Sequence, residues 1–426
     1  MQEYRVAVDC LDVGVFIRLD IPWFQHPFLF GSFKIKNKDQ IRILRKLGVS
    51  DVLVVPEKSD RLPGSAVSVT NSCEMPSDEE DQAVAAAKSL WQIKQERIAK
   101  LKAQRERIQV CEKHFSKALV QVKQIMANLD TASKEVVAEA HQFIGELVRT
   151  LIADKDVVVH LMNTEEGMEN IFYHALNVTV LGLLLGREWG LDADSLRKLG
   201  LGLIFHDLGK QRIPKKILRK NQSLTLAELK LVQFHTQYGV EIINARVPSF
   251  PPESLEIIRN HHEALDGTGY PDRLIGSEVP HLVRLASVVN TYDNHCNKAD
   301  PSTSLTPYQA LSCMFRNQIV QLDKEIVALL VRSVGVYPPG TIVELSNGSV
   351  GLVVSVNSTN SLRPGILLYD CSIPRNEALI IEMEDDPDLS IVKSIHPGKL
   401  SADIYNYLSP RTRVVYFAEP LARTKA

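Results

Sequence analysis

The sequence predicts a mainly α-helical protein. A small α/β region and a long linking helix precede a helical bundle, and a β-rich appendage follows it. Three observations carry this reading. Residues 130–335 hold apolar runs of helical spacing, in which histidines recur roughly 25–32 residues apart. Residues 83–129 are rich in Ala, Lys, Gln, Glu and Arg with helix-spaced apolar positions. Residues 1–60 and 336–426 carry β-branched, alternating runs instead.

A chain of 426 residues suffices for two to four domains and a sizeable core. The net charge of −2 gives no global electrostatic attraction to nucleic acid or to an acidic membrane surface. No continuous apolar run reaches the roughly 18 residues of a transmembrane helix, and the segment Met1–Cys10 has no secretory character. The six cysteines at 10, 73, 111, 296, 313 and 371 are scattered without a CxxC pair, as reduced thiols of a cytoplasmic protein are.

Along residues 1–60, "YRVAVDC", "GVFIRLD" and "DVLVVP" read as strands, and "NKDQIRILRKLG" as an amphipathic helix with a glycine stop. The aromatic, proline-punctuated "PWFQHPFLFGSF" reads as a loop packed on this small sheet, or as a ligand-binding surface. The region lacks the strand-end aspartate and five-fold alternation of a phosphorylatable receiver. Residues 61–82 shift to Ser, Pro, Gly, Asp and Glu, the composition of a linker. The helix over 83–129 alternates its charges, which gives a solvated face. It is placed to transmit a signal between input and output domains, and its imperfect apolar seam leaves pairing into a homodimer open.

The bundle over 130–335 opens with "TASKEVVAEAHQFIGELVRTLI", an amphipathic helix behind a Thr/Ser cap. The run Leu199–Phe205 reads as the buried body of a helix that delivers His206-Asp207-Leu208-Gly209-Lys210. A histidine, a carboxylate and a lysine emerging together are costly to bury without compensation. Two divalent metals and a substrate phosphate would compensate them. Neighbouring helical positions let His206 and Asp207 converge on one ion or let the carboxylate bridge two, and Lys210 is placed to meet an anion. An isolated His-Asp pair is commonly just a helix end. His174 in "FYHALNV", His235 in "FHTQYG" and the His261-His262 pair change the balance, because one ligand per helix suits a metal site inside a bundle. Taken singly, each would pass for an ordinary surface or core histidine, like His26, His114 and His141. The stretch "SLTLAELKLVQFHTQYGVEII" reads as one capped helix carrying His235. The segment "KQRIPKKILRK" beside the site is an exposed basic stretch or an attractor for a dianionic dinucleotide. "LDGTGYPDRL" is a tight, proline-fixed loop. The tail reads as a β-hairpin around Asn347-Gly348 plus further strands.

The set "H…HDLGK…H…HHEALDGTGYP" resembles the HD-GYP branch of the HD phosphohydrolases over about residues 140–335. The N-terminal stretch is similar, more loosely, to an uncharacterised companion domain found ahead of many such proteins. The resemblance implies an HD-type bundle and a bacterial signalling enzyme. That enzyme is a metal-dependent phosphodiesterase opening the second messenger cyclic di-GMP to pGpG, and onward to GMP, with a metal-bridging hydroxide as nucleophile. It implies one metal on His174, His206, Asp207 and Asn290, and a second on Asp207, His235, His261 and His262. Lys210 would stabilise charge on the phosphoryl oxygens. Asp266, Gly269, Tyr270, Pro271, Asp293 and Lys298 are expected to touch substrate or to support the ligands. The GYP loop is also a candidate contact for a diguanylate cyclase or another signalling protein. Iron and manganese are the expected metals, since histidine-rich ligation suits transition ions.

Three departures from the family pattern stand out. Asn290 occupies the place of a usual aspartate and brings no charge, which Asp293 one turn on could offset. The glutamate that supports a third metal in some members is Asn170 here, near Glu166 and Glu169, so two metals are expected. The family's phosphate-gripping arginine falls on Ala299, leaving Lys298 as the nearby cation. These departures keep two alternatives open: an HD phosphohydrolase for another nucleotide, and a non-catalytic receptor for a dinucleotide or a partner protein.

Overall fold

The computed structural model describes residues 3–420 apart from 23–24, 29, 64–76, 129–132, 154–156, 163–169, 219, 221–222, 299, 301–302, 358–359, 372, 374, 376–377, 388 and 410–413. The N-terminal domain is a four-stranded sheet with one helix: β1 (Tyr4–Ala7), β2 (Phe16–Arg18), β3 (Ser32–Lys34), α1 (Lys38–Lys46) and β4 (Asp51–Val54), in sheet order β1-β4-β2-β3. Alternation in β4 buries Val52 and Val54 against Ile17, Ile43 and Leu44. Asn37 caps α1 by accepting from the Gln40 N–H, and Gly48 ends the helix turn at a φ of 72°. The aromatic segment read as a loop contributes β3, which pairs with β2 from Phe16↔Lys34 to Arg18↔Ser32.

Helix α2 (Ser77–Asn128) runs for 52 residues, ~78 Å at the usual rise. Its first part is helical where a linker to residue 82 was expected. Ala87 and Leu90 pack on the N-terminal domain, and the Lys94 ammonium donates to the His26 carbonyl at 2.5 Å. Further on, Cys111, Phe115, Leu119, Val122 and Met126 recur at helical spacing and are buried in the main core. One helix thus serves both cores.

The helical region follows with α3 (Ser133–Ala153), β5 (Val157–Leu161), α4 (Asn170–Trp189), α5 (Ala193–Phe205), α6 (Lys215–Leu218), α7 (Leu226–Gln233), α8 (His235–Arg246), α9 (Pro252–Asn260), α10 (His281–Cys296), α11 (Pro307–Asn317) and α12 (Lys324–Val334). The Thr/Ser cap expected for α3 lies partly outside the described residues. The stretch expected as one helix around His235 is broken at Phe234 into α7 and α8. Thr225 and Glu228 form a capping box on α7, and His235 becomes the first residue of a new helix. Helix α4 is the axis of the bundle, buried without interruption from Ala175 to Leu185 and packed by α3, α5, α10 and α12.

The C-terminal region adds β6 (Ile342–Leu345), β7 (Val350–Asn357), β8 (Gly365–Leu368), β9 (Ile380–Glu382), β10 (Ile391–Ile395), α13 (Ala402–Leu408) and β11 (Tyr416–Pro420). This is the expected β-rich appendage, and it is joined to the helical region through a shared sheet. Strand β5, from within the helical region, pairs with β7 on one side and β11 on the other, so one seven-stranded sheet is built from both. Short apolar "VVVHL" satisfies its backbone groups by joining that sheet.

Helix α5 ends at Phe205, with His206 as its C-cap, and a 3-10 turn over Leu208–Arg212 follows. The pair expected on a continuing helix therefore sits at a helix end, with Asp207 at φ −98° and ψ 6°. That turn packs on α8 through Gly209: a β-carbon there would lie 1.8 Å from the His235 carbonyl oxygen and 2.6 Å from the Gly239 nitrogen. Backbone cannot yield as a side-chain tip can. Gly209→Ala is expected to destabilise the fold by ~3 kcal/mol, read by urea or thermal unfolding. A change below about 0.5 kcal/mol, the range of ordinary surface substitutions, would show that the turn and α8 are not held in this contact.

Candidate metal centre

Four helices deliver their polar residues to one end of the bundle. His174 comes from the second turn of α4, His206 and Asp207 from the end of α5, His235 from the start of α8, and His261 and His262 from the end of α9. His206, Asp207, His235 and His261 are all at most 2% exposed. The structure brings these residues into two groups that share Asp207: His174, His206 and Asp207, and Asp207, His235, His261 and His262.

Each pinned imidazole is oriented the same way. His206 Nδ1 lies 2.6 Å from the Leu203 carbonyl oxygen, His235 Nδ1 lies 2.6 Å from that of Val232, and His261 Nδ1 lies 3.1 Å from that of Ile258. His174 Nδ1 meets Asp293 Oδ2 at 2.5 Å. With the Nδ1 proton committed to an oxygen, the lone pair remains on Nε2. The Nε2 atoms converge: His174 to His206 is 3.0 Å, and His235 to His261 is 3.3 Å. Facing lone pairs repel one another unless a proton or a cation sits between them.

Asp207 lies at the centre. Its Oδ1 is 3.3 Å from His235 Nε2 and 3.8 Å from His261 Nε2, and its Oδ2 is 3.4 Å from His174 Nε2. Oδ1 is buried and accepts no properly aligned hydrogen bond. Burial works to raise the Asp207 carboxyl, but Lys210 Nζ at 2.5 Å from Oδ2 and the surrounding imidazoles hold it well below the usual carboxylate range. Burial drives His261 and His262 well below the ordinary imidazole value and His206 down to about 4, so these rings are neutral and free to ligate. Burial also acts to lower His174, but Asp293 and Asp207 outweigh it and raise the ring to about 9. An ionised carboxylate with an orphaned buried oxygen, ringed by imidazole lone pairs, fits divalent transition ions.

The remaining expected residues divide. Lys210 is partly exposed and pairs with Asp207, three residues before it. Asn290 is buried on α10, but its Oδ1 accepts from Asn294 Nδ2 at 2.9 Å. The α10 side chain that meets His174 is Asp293. Asp266 is exposed and turns into its own loop, accepting from the Thr268 N–H and hydroxyl. Lys298 is exposed, with its backbone N–H given to Ser304, and Ala299 lies outside the described residues. Both stand on exposed stretches, Asp266 in a polar loop and Lys298 at the exit of α10. The side chain of Asn170 and all of Glu166 and Glu169 also lie outside the described residues.

The GYP loop has a mechanical role. A β-carbon at Gly269 would lie 2.4 Å from the Ala264 nitrogen and 2.6 Å from the His262 carbonyl oxygen, so the loop rests directly on the ligand-bearing backbone. Tyr270, joined to Pro271 by a cis peptide, stacks on His262 with ring centroids 4.6 Å apart. Glu263 was not anticipated. It is 3% exposed and accepts from the N–H groups of Asp272, Arg273 and Leu274 at 2.6, 3.0 and 3.0 Å. Its place directly after the histidine pair was the available signal. Asn177 and Asn297, which hold Asp293, were missed as well; Asn177 stands three residues after His174 on α4, on the same face.

The fold and this cluster define a helical bundle with a His/Asp cluster that could hold metal. Residues 146–326 match the HD domain, and residues 3–140 match a domain of unknown function, DUF3391. The chain thus carries an HD domain behind a DUF3391 region. It is similar to the cyclic di-GMP phosphodiesterase PA4108 of Pseudomonas aeruginosa, at 26% identity over 371 residues, 86% of this chain and 84% of that protein. The cyclic di-GMP phosphodiesterase response regulator RpfG of Xanthomonas campestris is 28% identical over 183 residues, 43% of this chain and 45% of that one. The 3'3'-cGAMP-specific phosphodiesterase 2 of Vibrio cholerae is 32% identical over 140 residues, 33% of this chain and 27% of that one. Thus the chain spans most of the first relative and less than half of the other two.

Two outcomes follow from this geometry. His174, held at about 9, carries a second proton at neutral pH that a ligand cannot keep. Manganese affinity should therefore rise as pH increases toward about 9, with about one proton released per protein on loading. Calorimetry in buffers of differing ionisation enthalpy reads this, and a pH-independent affinity would contradict it. Glu263→Ala strips three backbone donors of a buried charged acceptor and should cost ~3 kcal/mol of stability. A near-neutral variant in chemical denaturation would show that the loop stands without it.

Proposed function

We propose that this protein is a metal-dependent phosphodiesterase that hydrolyses cyclic di-GMP to linear pGpG, and onward to GMP, in second-messenger signalling. The observation that supports it best is the sharing of one ionised, buried carboxylate by two sets of imidazole nitrogens. We assign His174 and His206 with Asp207 to one metal, and His235, His261 and His262 with Asp207 to the other, with iron or manganese as the ions. Such a pair supplies a water acidic enough to ionise near neutral pH and positive charge for the phosphoryl oxygens.

The chain's own residues do the rest. Lys210 keeps Asp207 ionised and, being 27% exposed, presents its ammonium to the scissile phosphate. Asp293 fixes the His174 ring, and Tyr270 fixes His262. In the basic stretch beyond the turn, Arg212 and Lys220 are engaged by Glu241 and Glu228, while Lys215 and Lys216 are exposed and free to draw in a dianionic ligand. A Ser, Cys or Thr nucleophile is not needed. The relatives named for 3'3'-cGAMP support a second reading, in which the same centre opens that dinucleotide.

Product analysis tests both. Protein purified anaerobically and given Mn²⁺ or Fe²⁺ is incubated separately with cyclic di-GMP and 3'3'-cGAMP. Linear product from cyclic di-GMP is expected, with His206→Ala and Asp207→Ala slower by on the order of 10³-fold or more and Lys210→Ala by about 10–10²-fold in kcat. Preference for the second dinucleotide would move the assignment to it. No product from a protein shown to hold two metals would overturn the enzyme reading and leave a receptor.

A further inference from the structure

We propose that the C-terminal segment at Val414–Tyr416, far beyond the HD-domain match that ends at residue 326, is a positioning element of the metal centre. This rests on the reading that His174 ligates metal. The segment acts through two asparagines and one aspartate.

His174 Nδ1 is held by Asp293 Oδ2 at 2.5 Å. The other oxygen, Asp293 Oδ1, accepts from Asn177 Nδ2 and from Asn297 Nδ2, the latter at 2.9 Å. Each asparagine in turn reads the C-terminal backbone. Asn297 accepts from the Val414 N–H at 2.8 Å and donates to the Val414 carbonyl at 2.8 Å, as a neighbouring strand would. Asn177 accepts from the Tyr416 N–H at 2.7 Å and donates to the Val414 carbonyl at 3.3 Å. Asn177 and Asp293 are each 1% exposed, so water cannot readily replace these partners.

The segment is itself fixed from behind. The Tyr416 hydroxyl is fully buried, 2.8 Å from the Tyr292 hydroxyl and 3.0 Å from the Pro339 carbonyl oxygen, and β11 pairs with β5. An asparagine amide can rotate. What sets its orientation here is the Val414 and Tyr416 backbone, and that orientation aims two N–H donors at one carboxylate oxygen. A carboxylate so held fixes the tautomer and the angle of the imidazole in front of it. Freed from the strand, both amides would turn toward other acceptors, and His174 would lose its fixed support. His235, His261 and His262 take their orientation from other helices and the GYP loop. The effect should therefore fall on one metal of the two.

Two full-length variants test this. Asn297→Ala removes one of the two links from Val414 to Asp293, and Val414→Pro removes the N–H that Asn297 accepts while keeping every side chain of the cluster. Manganese binding by calorimetry and by competition with a chromophoric chelator gives two affinities, with His174→Ala marking the site concerned. The expected result is that both variants weaken that one site by about 10–100-fold and leave the other within about two-fold of wild type. Wild-type affinity at both sites, or equal weakening of both, would overturn the proposal. If Val414→Pro does not fold, Asn297→Ala decides alone. Failure of the underlying reading looks different: His174→Ala would then leave metal binding unchanged.

Discussion

The ionised carboxylate of Asp207, buried among imidazoles and braced by Lys210, is the constraint on which the rest of this structure depends. A bare carboxylate in such a place is strongly disfavoured. Here the cost is offset by one ammonium and by surrounding imidazoles whose Nε2 atoms converge on the carboxylate. His206 and His235 are fixed by the Leu203 and Val232 carbonyls, and His262 by the stacked Tyr270. The helix ends exist to serve this arrangement. Helix α5 stops at Phe205, α8 starts at His235, and α9 stops at Asn260, so that side chains enter from termini rather than from helix faces.

Around the centre the architecture is continuous. Helix α2 belongs to the N-terminal core at one end and to the bundle core at the other, and it packs on β11 together with α3 and α4. Strand β5 leaves the helical region to join the C-terminal sheet. The parts of the chain are therefore tied by shared secondary structure. In the same way, Lys58 of the N-terminal domain donates to the Gly348 carbonyl in the β6–β7 turn. Among the described residues, no helix is long and apolar enough to cross a membrane.

Much of this was legible in the sequence, and the limits have physical causes. The clustering of the histidines and Asp207 could be read because rare residue types recur there at restricted spacing. The break at Phe234 could not, because α7 and α8 share one apolar periodicity and contain no glycine or proline at the junction. Strand β3 was hidden by an aromatic, proline-rich stretch that resembles a loop. Strand β5 was hidden because four apolar residues and a histidine inside a helical region match no pattern of their own; only the distant β11 and β7 make them a strand. Asn177 and Asn297 were missed for a similar reason, since their partners are backbone groups more than a hundred residues away. Asn290 was read from its position in a motif; it is buried on α10, and Asp293, one turn on, stands behind His174.

The central claim is that one carboxylate serves two ions. Anomalous diffraction from crystals of the manganese- or iron-loaded protein, with data on both sides of the metal absorption edge, tests it most directly. The account predicts two peaks flanking Asp207, one among His174 and His206 and the other among His235, His261 and His262. A single peak, or peaks that leave Asp207 out of contact, would contradict it.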